Sequence, residues 1–346
     1  MATLLKSKYL IPLLIAFAIL FPVISQNDYY IHVMTLSFIW MIGVYGLNLL
    51  AGYAGYLSLA HAGFFAIGAY SLGLLTTKAQ VNFWLALLLS LFITCVIGTL
   101  IGLVALRTKD AFFAIYTLCV GYIIYLVIDK WESLTEGVRG LIGIPAPSNI
   151  GPLSFEKPES HYYLVLFFLL FVILMMYRIV HSLTGRTYIA IRNSEDLALT
   201  IGISTMKNKL TVFVLSTFFA GLSGALYASF IRFIGPDIGY ISITFDLLTF
   251  LLVGGIGTLS GPIVGTLIIV WLSQQLQFLQ DYRMMIFGPV LTLLIIFYPG
   301  GLVGGAIEWK MKIKARKANT ASRHLRKNEL EKGSNTAAMK KQVKEG

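Results

Sequence analysis

The chain alternates between long apolar runs, near residues 9–25, 30–50, 61–76, 83–106, 111–128, 161–180, 210–231, 241–257, 262–279 and 284–299, and short polar connectors. A bilayer core takes about 20 residues of helix at roughly 1.5 Å each, and most of these runs approach or exceed that length. The pattern predicts an all-α, polytopic membrane protein with about 8–10 transmembrane helices. Runs that are short and flanked by glycine can be half-spans, which leaves the count open within that range. Residues 1–307 form the membrane domain in this reading. Residues 129–160 and 185–204 stand out as its two polar loops, and residues 308–346 form a disordered basic tail.

Composition agrees with lipid as the solvent, since 57% of residues are hydrophobic and only 12% charged. A soluble domain of this length would wrap one or two cores in charge. The net charge of +11 is mostly a tail effect, because residues 308–346 hold 12 Lys and Arg against 4 acids, leaving +3 elsewhere. Such a tail suits anionic lipid better than nucleic acid. Basic residues of the short loops fall in alternate connectors: Lys6 and Lys8, Arg107 and Lys109, then Arg178, Arg186, Arg192, Lys207 and Lys209. The intervening loops are poor in them, with five acids against three bases in 129–160. The positive-inside rule then puts both termini in the cytoplasm and loop 129–160 outside. The basic, apolar N-terminus lacks a small-residue cleavage site and reads as a retained first span. Cys95 and Cys119 fall inside spans, where they serve as small packing residues, and no disulfide is expected.

Against this apolar background, GLNLLAGYAGYLSLAHAGF at residues 46–64 carries four glycines, an asparagine, a serine and a histidine. Each glycine inside a helix costs about 1 kcal/mol relative to alanine, so something must offset them. Two readings stand together. The glycines let helices approach closely, or the segment is discontinuous and exposes Asn48, Ser58 and His61 to a translocation path. His61 could relay protons or simply close a hydrogen bond at a helix end. Gly52, Gly55, Leu57, Ser58 and Gly63 recur as Gly254, Gly257, Leu259, Ser260 and Gly265 at one offset of 202 residues, which suggests an internal repeat, the alternative being coincidence among residues common in membrane helices. Gly52, Gly55, Gly254 and Gly257 are therefore the hinge or packing candidates. Helix parity runs the two copies in the same direction, and a helix broken at mid-membrane would invert one of them.

Asp246 is the acid set well inside a span, where insertion costs about 2.5–3.5 kcal/mol at the centre, so it must face protein or water. It either pairs helices or joins the path. The segment GRTYIAIRNSEDLALTIGISTMKNK from Gly185 is different: polar, compact, and carrying a short helix with Asn193 as its cap, Asp196 three residues on and Gly202 as its stop. About eight residues cannot hold a helix in water alone, so it needs a surface, either its own chain, the membrane or a partner's groove. No GxxxxGK[ST] occurs, nor any Gly-Lys pair, so the chain has no P-loop of its own. No catalytic constellation and no metal-ligand spacing among the five histidines appear either.

Four blocks together resemble the permease subunits of branched-chain amino-acid ABC importers, of the LivM type within the LivH/LivM family. They are GLNLLAGYAGYLSLAHAGFFAIGAY from Gly46, TEGVRGLIGIP from Thr135, GRTYIAIRNSEDLALTIGI from Gly185 with the helix that follows, and LLVGGIGTLSGPIVGTLI from Leu251. The resemblance covers about residues 30–305. It implies a bacterial inner-membrane subunit that pairs with a second, related permease as a heterodimer. It also implies two cytoplasmic ATPase subunits, which carry the ATP and Mg, and an extracytoplasmic solute-binding protein. The chain itself would bind no cofactor, catalyse nothing and import branched-chain amino acids. Related permeases carry urea or short amides, and a self-sufficient channel or secondary transporter is the rival from another class. Residues 185–204 would be the coupling loop, with Arg192, Glu195, Asp196, Ala198 and Gly202 as its candidates. The family commonly has Glu where this chain has Asp246, and its pattern requires no tail as long as 308–346.

Overall fold

The computed structural model describes residues 16, 18–25, 27–149, 155, 157–275 and 300–305. Eleven helices are placed among them: α1 (Asp28–Leu47), α2 (His61–Thr77), α3 (Phe83–Ala105), α4 (Asp110–Lys130), α5 (Glu132–Thr135), α6 (Pro158–His181), α7 (Leu183–Asn193), α8 (Glu195–Thr200), α9 (Thr205–Ile231), α10 (Ile241–Gly254) and α11 (Gly261–Gln275). Residues 18–24 are helical as well. The expected last span at 284–299, the tail, and residues 9–15 and 17 of the expected first span lie outside the described residues.

Local chemistry explains where these helices begin. The Asn27 carboxamide accepts from Tyr29 N at 2.9 Å and that of Asn82 from Trp84 N at 3.0 Å, while Pro158 opens α6 at a position where no amide donor is needed. Among the described residues five helices are long and apolar enough to cross a membrane: 28–54, α3, α4, α6 and α9. Their burial sorts them into two classes. In their most apolar stretches 28–54 is 89% buried and α9 67%, against 33%, 22% and 33% for α3, α4 and α6. The first two form the centre of the bundle, and the other three turn most of their apolar surface outward, as lipid-facing helices do. The chain is thus a multi-pass helical membrane protein.

The central pair runs antiparallel and is joined by small residues. Ser223 Oγ donates to Ile39 O at 2.6 Å and Ser216 Oγ to Gly46 O at 2.6 Å. Helices rich in Gly and Ser approach more closely than Leu would allow, and the gain is packing and interhelical hydrogen bonding rather than hydrophobic burial. Where α9 crosses α2, a Cβ on Gly224 would lie 1.9 Å from Phe65 O.

Both long central helices end in the left-handed region and return as extended chain to a short helix. Helix α1 continues in π-helical form through Asn48–Ala54, and Gly55 (φ 83°) stops it. Residues 56–60 then run back to α2. Helix α9 stops at Arg232 (φ 61°), and Phe233–Ile234 pairs antiparallel with Leu141–Ile142 before the chain reaches α10. The first turns of α2 and α10 meet inside the bundle, where Ala62 N donates to Thr244 Oγ1 at 3.0 Å and Thr244 Oγ1 to Leu59 O at 3.4 Å. From there they diverge. Gly73 of α2 packs on Leu141, Ile144 and Ile234, whereas the residues after α10 reach Gly52 and Arg192. Residues 61–77 and 241–254 are thus half-spans, related by inversion along with the long helices that precede them. The sequence repeat at offset 202 is a separate relation. Its two glycine runs both end descending helices at the end of the bundle that carries Arg192, so those copies run parallel.

Gly224→Ala should lower stability by about 3 kcal/mol through backbone overlap, whereas Gly235→Ala, whose Cβ would meet nothing nearer than 3.9 Å, should be close to neutral. Thermal unfolding of the detergent-solubilised protein measures both, and equal melting temperatures would refute the packing described.

Candidate functional site

The two glycine runs meet each other. A Cβ on Gly52 would fall 2.7 Å from Gly257 N and 2.2 Å from Asn48 Oδ1, so the backbones touch with no room for a side chain. Asn48 fastens the junction from one turn away: its Oδ1 accepts from Gly257 N at 2.8 Å and its Nδ2 donates to Thr258 O at 2.8 Å. Tyr45 adds a hydroxyl bond to Leu259 O at 2.8 Å. These bonds satisfy backbone groups that a glycine turn would otherwise leave buried and unpaired, each worth about 1–3 kcal/mol if orphaned.

Arg192 closes the same junction from the polar segment. Its Nη1 donates to Gly52 O, its aliphatic stem would lie 2.9 Å from a Cβ on Gly55, and Nη1 would lie 3.0 Å from one on Gly257. Three of the four hinge or packing glycines therefore surround one arginine side chain. Gly254 packs instead against Gly261, whose carbonyl oxygen would lie 1.9 Å from its Cβ.

The segment that carries Arg192 is two short helices with well-defined ends. Gly185 lies where a Cβ would meet Ile179 O at 2.3 Å, which lets α7 turn directly off α6. The cap of α8 is Ser194, one residue after the expected Asn193: Ser194 is extended and accepts from Leu197 N at 3.3 Å, while Asn193 still belongs to α7. The stop is Gly202 as expected, left-handed at φ 83°, with Gly202 N bonded to Leu199 O and Ile203 N to Ala198 O, both at 3.0 Å. This is the paired 5→2 and 6→1 arrangement of a Schellman cap. A Cβ on Gly202 would touch nothing within 4 Å.

Helix α8 is tied to its own chain on one side. Ala198 is buried, and Glu195 forms an ion pair with Lys209 at 2.6 Å while accepting from Tyr56 OH at 2.7 Å. Lys209 also reaches Leu106 O at 3.5 Å and lies 5.2 Å over the Tyr56 ring. Burial disfavours the Glu195 carboxylate, but hydrogen bonds from Lys209, Tyr56 and Thr205 outweigh it and hold the group below the ordinary carboxylate range. Asp196 makes only an exposed pair with Lys109 at 3.6 Å, which is worth little in water. On the other side Leu197, Leu199 and Ile201 are 64%, 50% and 67% exposed. An apolar edge on a rigidly mounted helix can receive a partner.

Of the path candidates, Asn48, Ser58 and His61 are buried inside this chain. Besides the bonds of Asn48, Ser58 Oγ accepts from Ala60 N at 3.3 Å, and His61 Nε2 pairs with Ser216 Oγ at 2.8 Å, the same serine that bonds Gly46. Asp246 is half-buried on the second turn of α10, two residues from Thr244. Among the described residues no group of three or more His, Cys, Asp or Glu could hold a metal. Lys209 and Tyr56 emerge from the structure alone: a lysine at a helix start reads as an ordinary loop charge, and its partner Glu195 lies 14 residues away, outside any helical register.

Residues 29–296 match the model of the family described as branched-chain amino acid transport system / permease component. The chain belongs to this family. Its sequence is 28% identical over 321 residues to the high-affinity branched-chain amino acid transport system permease protein LivM of Escherichia coli, an alignment covering 86% of this chain and 75% of that one. It is 24% identical over 291 residues to LivH, a permease protein of the same kind from Salmonella typhimurium, covering 78% and 93%. It is 23% identical to a probable LivM of Methanocaldococcus jannaschii over 63% and 67%. No solved structure matches. The permease is therefore a transport subunit, and the junction of Arg192 with the glycine runs lies within the matched region.

Because the folded pKa of Glu195 lies below an unfolded value of about 4.3, its ion pair stabilises α8 fully above that pH. The contribution disappears as pH falls through the folded pKa. Hydrogen exchange of residues 195–204 should be flat from pH 8 to 6 after correction for intrinsic rates, and rise below pH ~4.3. Glu195→Gln should remove this acid step and cost about 2 kcal/mol at neutral pH, less than a fully buried pair because Glu195 keeps an edge to water. An unchanged acid step in the variant would contradict the assignment.

Proposed function

We propose that the permease is the membrane-spanning subunit of an ATP-driven importer that moves branched-chain amino acids inward. In this reading residues 185–204 lie on the cytoplasmic side of a bacterial inner membrane, both termini face the same side, and loop 129–160 faces out. The observation that carries the proposal is the two-sidedness of α8, with Glu195, Ala198 and the preceding Arg192 anchored in the bundle and Leu197, Leu199 and Ile201 left outward. An element with no partner to follow would not need both properties. Two ATPase subunits, carrying ATP and Mg, take up the outward edge. A second, related permease completes the membrane pore, and an extracytoplasmic binding protein delivers the solute.

Motion of α8 then reaches the glycine runs through one guanidinium and the central helix α9 through Lys209. Backbone contact through glycine lets helix ends roll over one another with few side-chain rotamers to reset, which suits alternating access. The buried Asn48, Ser58 and His61 act in this scheme as the pivot behind the path, and Asp246 remains the candidate nearest to it. Import of urea or short amides would use the same machinery, since selectivity resides largely in the delivering protein.

A self-sufficient channel or secondary transporter would need no such edge, and the two accounts separate experimentally. Leu197→Asp with Ile201→Asp changes only exposed positions and should leave folding within about 0.5 kcal/mol. Leucine uptake by the reconstituted complex should fall at least about tenfold, with loss of ATPase association. Full uptake by this variant would reject ATP coupling through α8.

A further inference from the structure

At the end of the bundle opposite Arg192, the starts of α1 and α6 and the end of α9 enclose a cavity of about 220 Å³, open on one side. Its lining combines three formal charges with an aromatic floor. Asp28, Lys157 and Arg232 stand around it, and among the described residues none of the ion pairs formed involves any of them. Phe230 has two tilted imidazoles beside it, His32 with its ring centre at 4.7 Å and His161 at 5.2 Å. His161 is only 5% exposed, and its Nε2 is buried with no hydrogen-bond partner. A buried polar atom left unpaired beside a roomy polar cavity is satisfied by whatever fills that cavity, ordered water or a polar solute.

Arg232 supplies an independent sign. It occupies the left-handed stop of α9 at φ 61°, a conformation that costs a non-glycine residue about 1–2 kcal/mol. Its backbone is held there from both sides: its N–H bonds Ala228 O at 2.9 Å, and its carbonyl accepts from Gly143 and Ile144 at 3.1 and 3.3 Å. Glycine would serve this turn more easily. What arginine adds is a cation in the lining of the cavity, which also holds the Asp28 carboxylate.

The geometry points to a site on the permease itself for a small zwitterion, with its anionic group on Arg232 and Lys157, its ammonium on Asp28, and a short apolar stem over Phe230. The volume accepts about seven waters' worth of solute, which suits a free amino acid. Two sources share this chemistry, a free α-amino acid and the phosphoethanolamine headgroup of a lipid. Neither requires Arg192, α8 or any ATPase.

The test uses the full chain, with whatever subunits co-purify, in nanodiscs without ATP or binding protein. Choosing leucine as the probe rests on the importer reading, but the measurement does not involve coupling, so failure of one leaves the other intact. Saturable binding of labelled leucine is expected, with isovalerate and isoamylamine competing at least about tenfold less well because each offers a single charge. Arg232→Gly, which suits the left-handed turn, and Asp28→Asn should each weaken binding by at least about tenfold. If leucine fails to bind but native mass spectrometry finds phosphatidylethanolamine retained by the wild type and lost from both variants, the site holds and its occupant is the lipid. No saturable leucine binding and no variant-sensitive lipid would overturn the proposal, as would leucine binding unaffected by either substitution.

Discussion

The hydrogen bond from the Arg192 guanidinium to the carbonyl of Gly52 is the contact on which the basic end of the permease depends. It joins elements 140 residues apart at the point where two helix-ending glycine runs already touch, and Asn48 bonds the second run from the other side. Each participant constrains the others. Gly52 can carry no side chain without separating the backbones, and Gly257 holds the left-handed conformation at φ 73°. The π-helical turn at Asn48–Ala54 widens the end of α1 so that Asn48 and Gly52 both face the junction. Arg192 is itself exposed, so its charge-assisted bond ties the junction in position without burying the charge, while the glycines remain pliant in torsion.

A related economy governs the middle of the bundle. Two half-helices begin there, and their unsatisfied first-turn amides would be expensive in a lipid environment. Hydroxyls from neighbouring helices take up part of that demand. Thr244 accepts from Ala62 N, Thr117 of α4 accepts from Leu59 N at 3.0 Å, and Ser216 holds His61 at 2.8 Å. These small hydroxyls let the chain break its helices at depth without exposing backbone. The polar residues of the glycine-rich stretch are then explained by structure first: Asn48, Ser58 and His61 hold a broken helix together, and their bearing on transport comes through that role.

Much of this architecture was legible in the chain. Apolar runs located eight of the described helices to within a few residues, because the spacing between polar connectors is set by bilayer thickness rather than by tertiary contacts. Gly202 was readable as a stop because a left-handed cap is a local demand, while the start of α8 fell at Ser194 instead of Asn193 because both residues can cap and only the turn of α7 decides between them. The half-spans were only partly visible: a run of 17 or 14 apolar residues has no local mark of the depth at which it starts. The candidate site was legible in parts and not in assembly. Its glycines and the 185–204 segment were each conspicuous, yet nothing in local spacing says that Arg192 fits between Gly52 and Gly257, or that Lys209 meets Glu195 and Tyr56.

The central claim is that this junction transmits work from α8 to the membrane helices, and the stoichiometry of Arg192→Ala tests it most directly. Leucine imported per ATP hydrolysed would be measured in proteoliposomes holding the complete importer, with binding-protein concentration fixed. The account predicts that hydrolysis persists while the ratio falls about fivefold or more, as loss of roughly 1–3 kcal/mol of coupling free energy would give. A ratio equal to that of the wild type, with the variant folded and assembled, would contradict it.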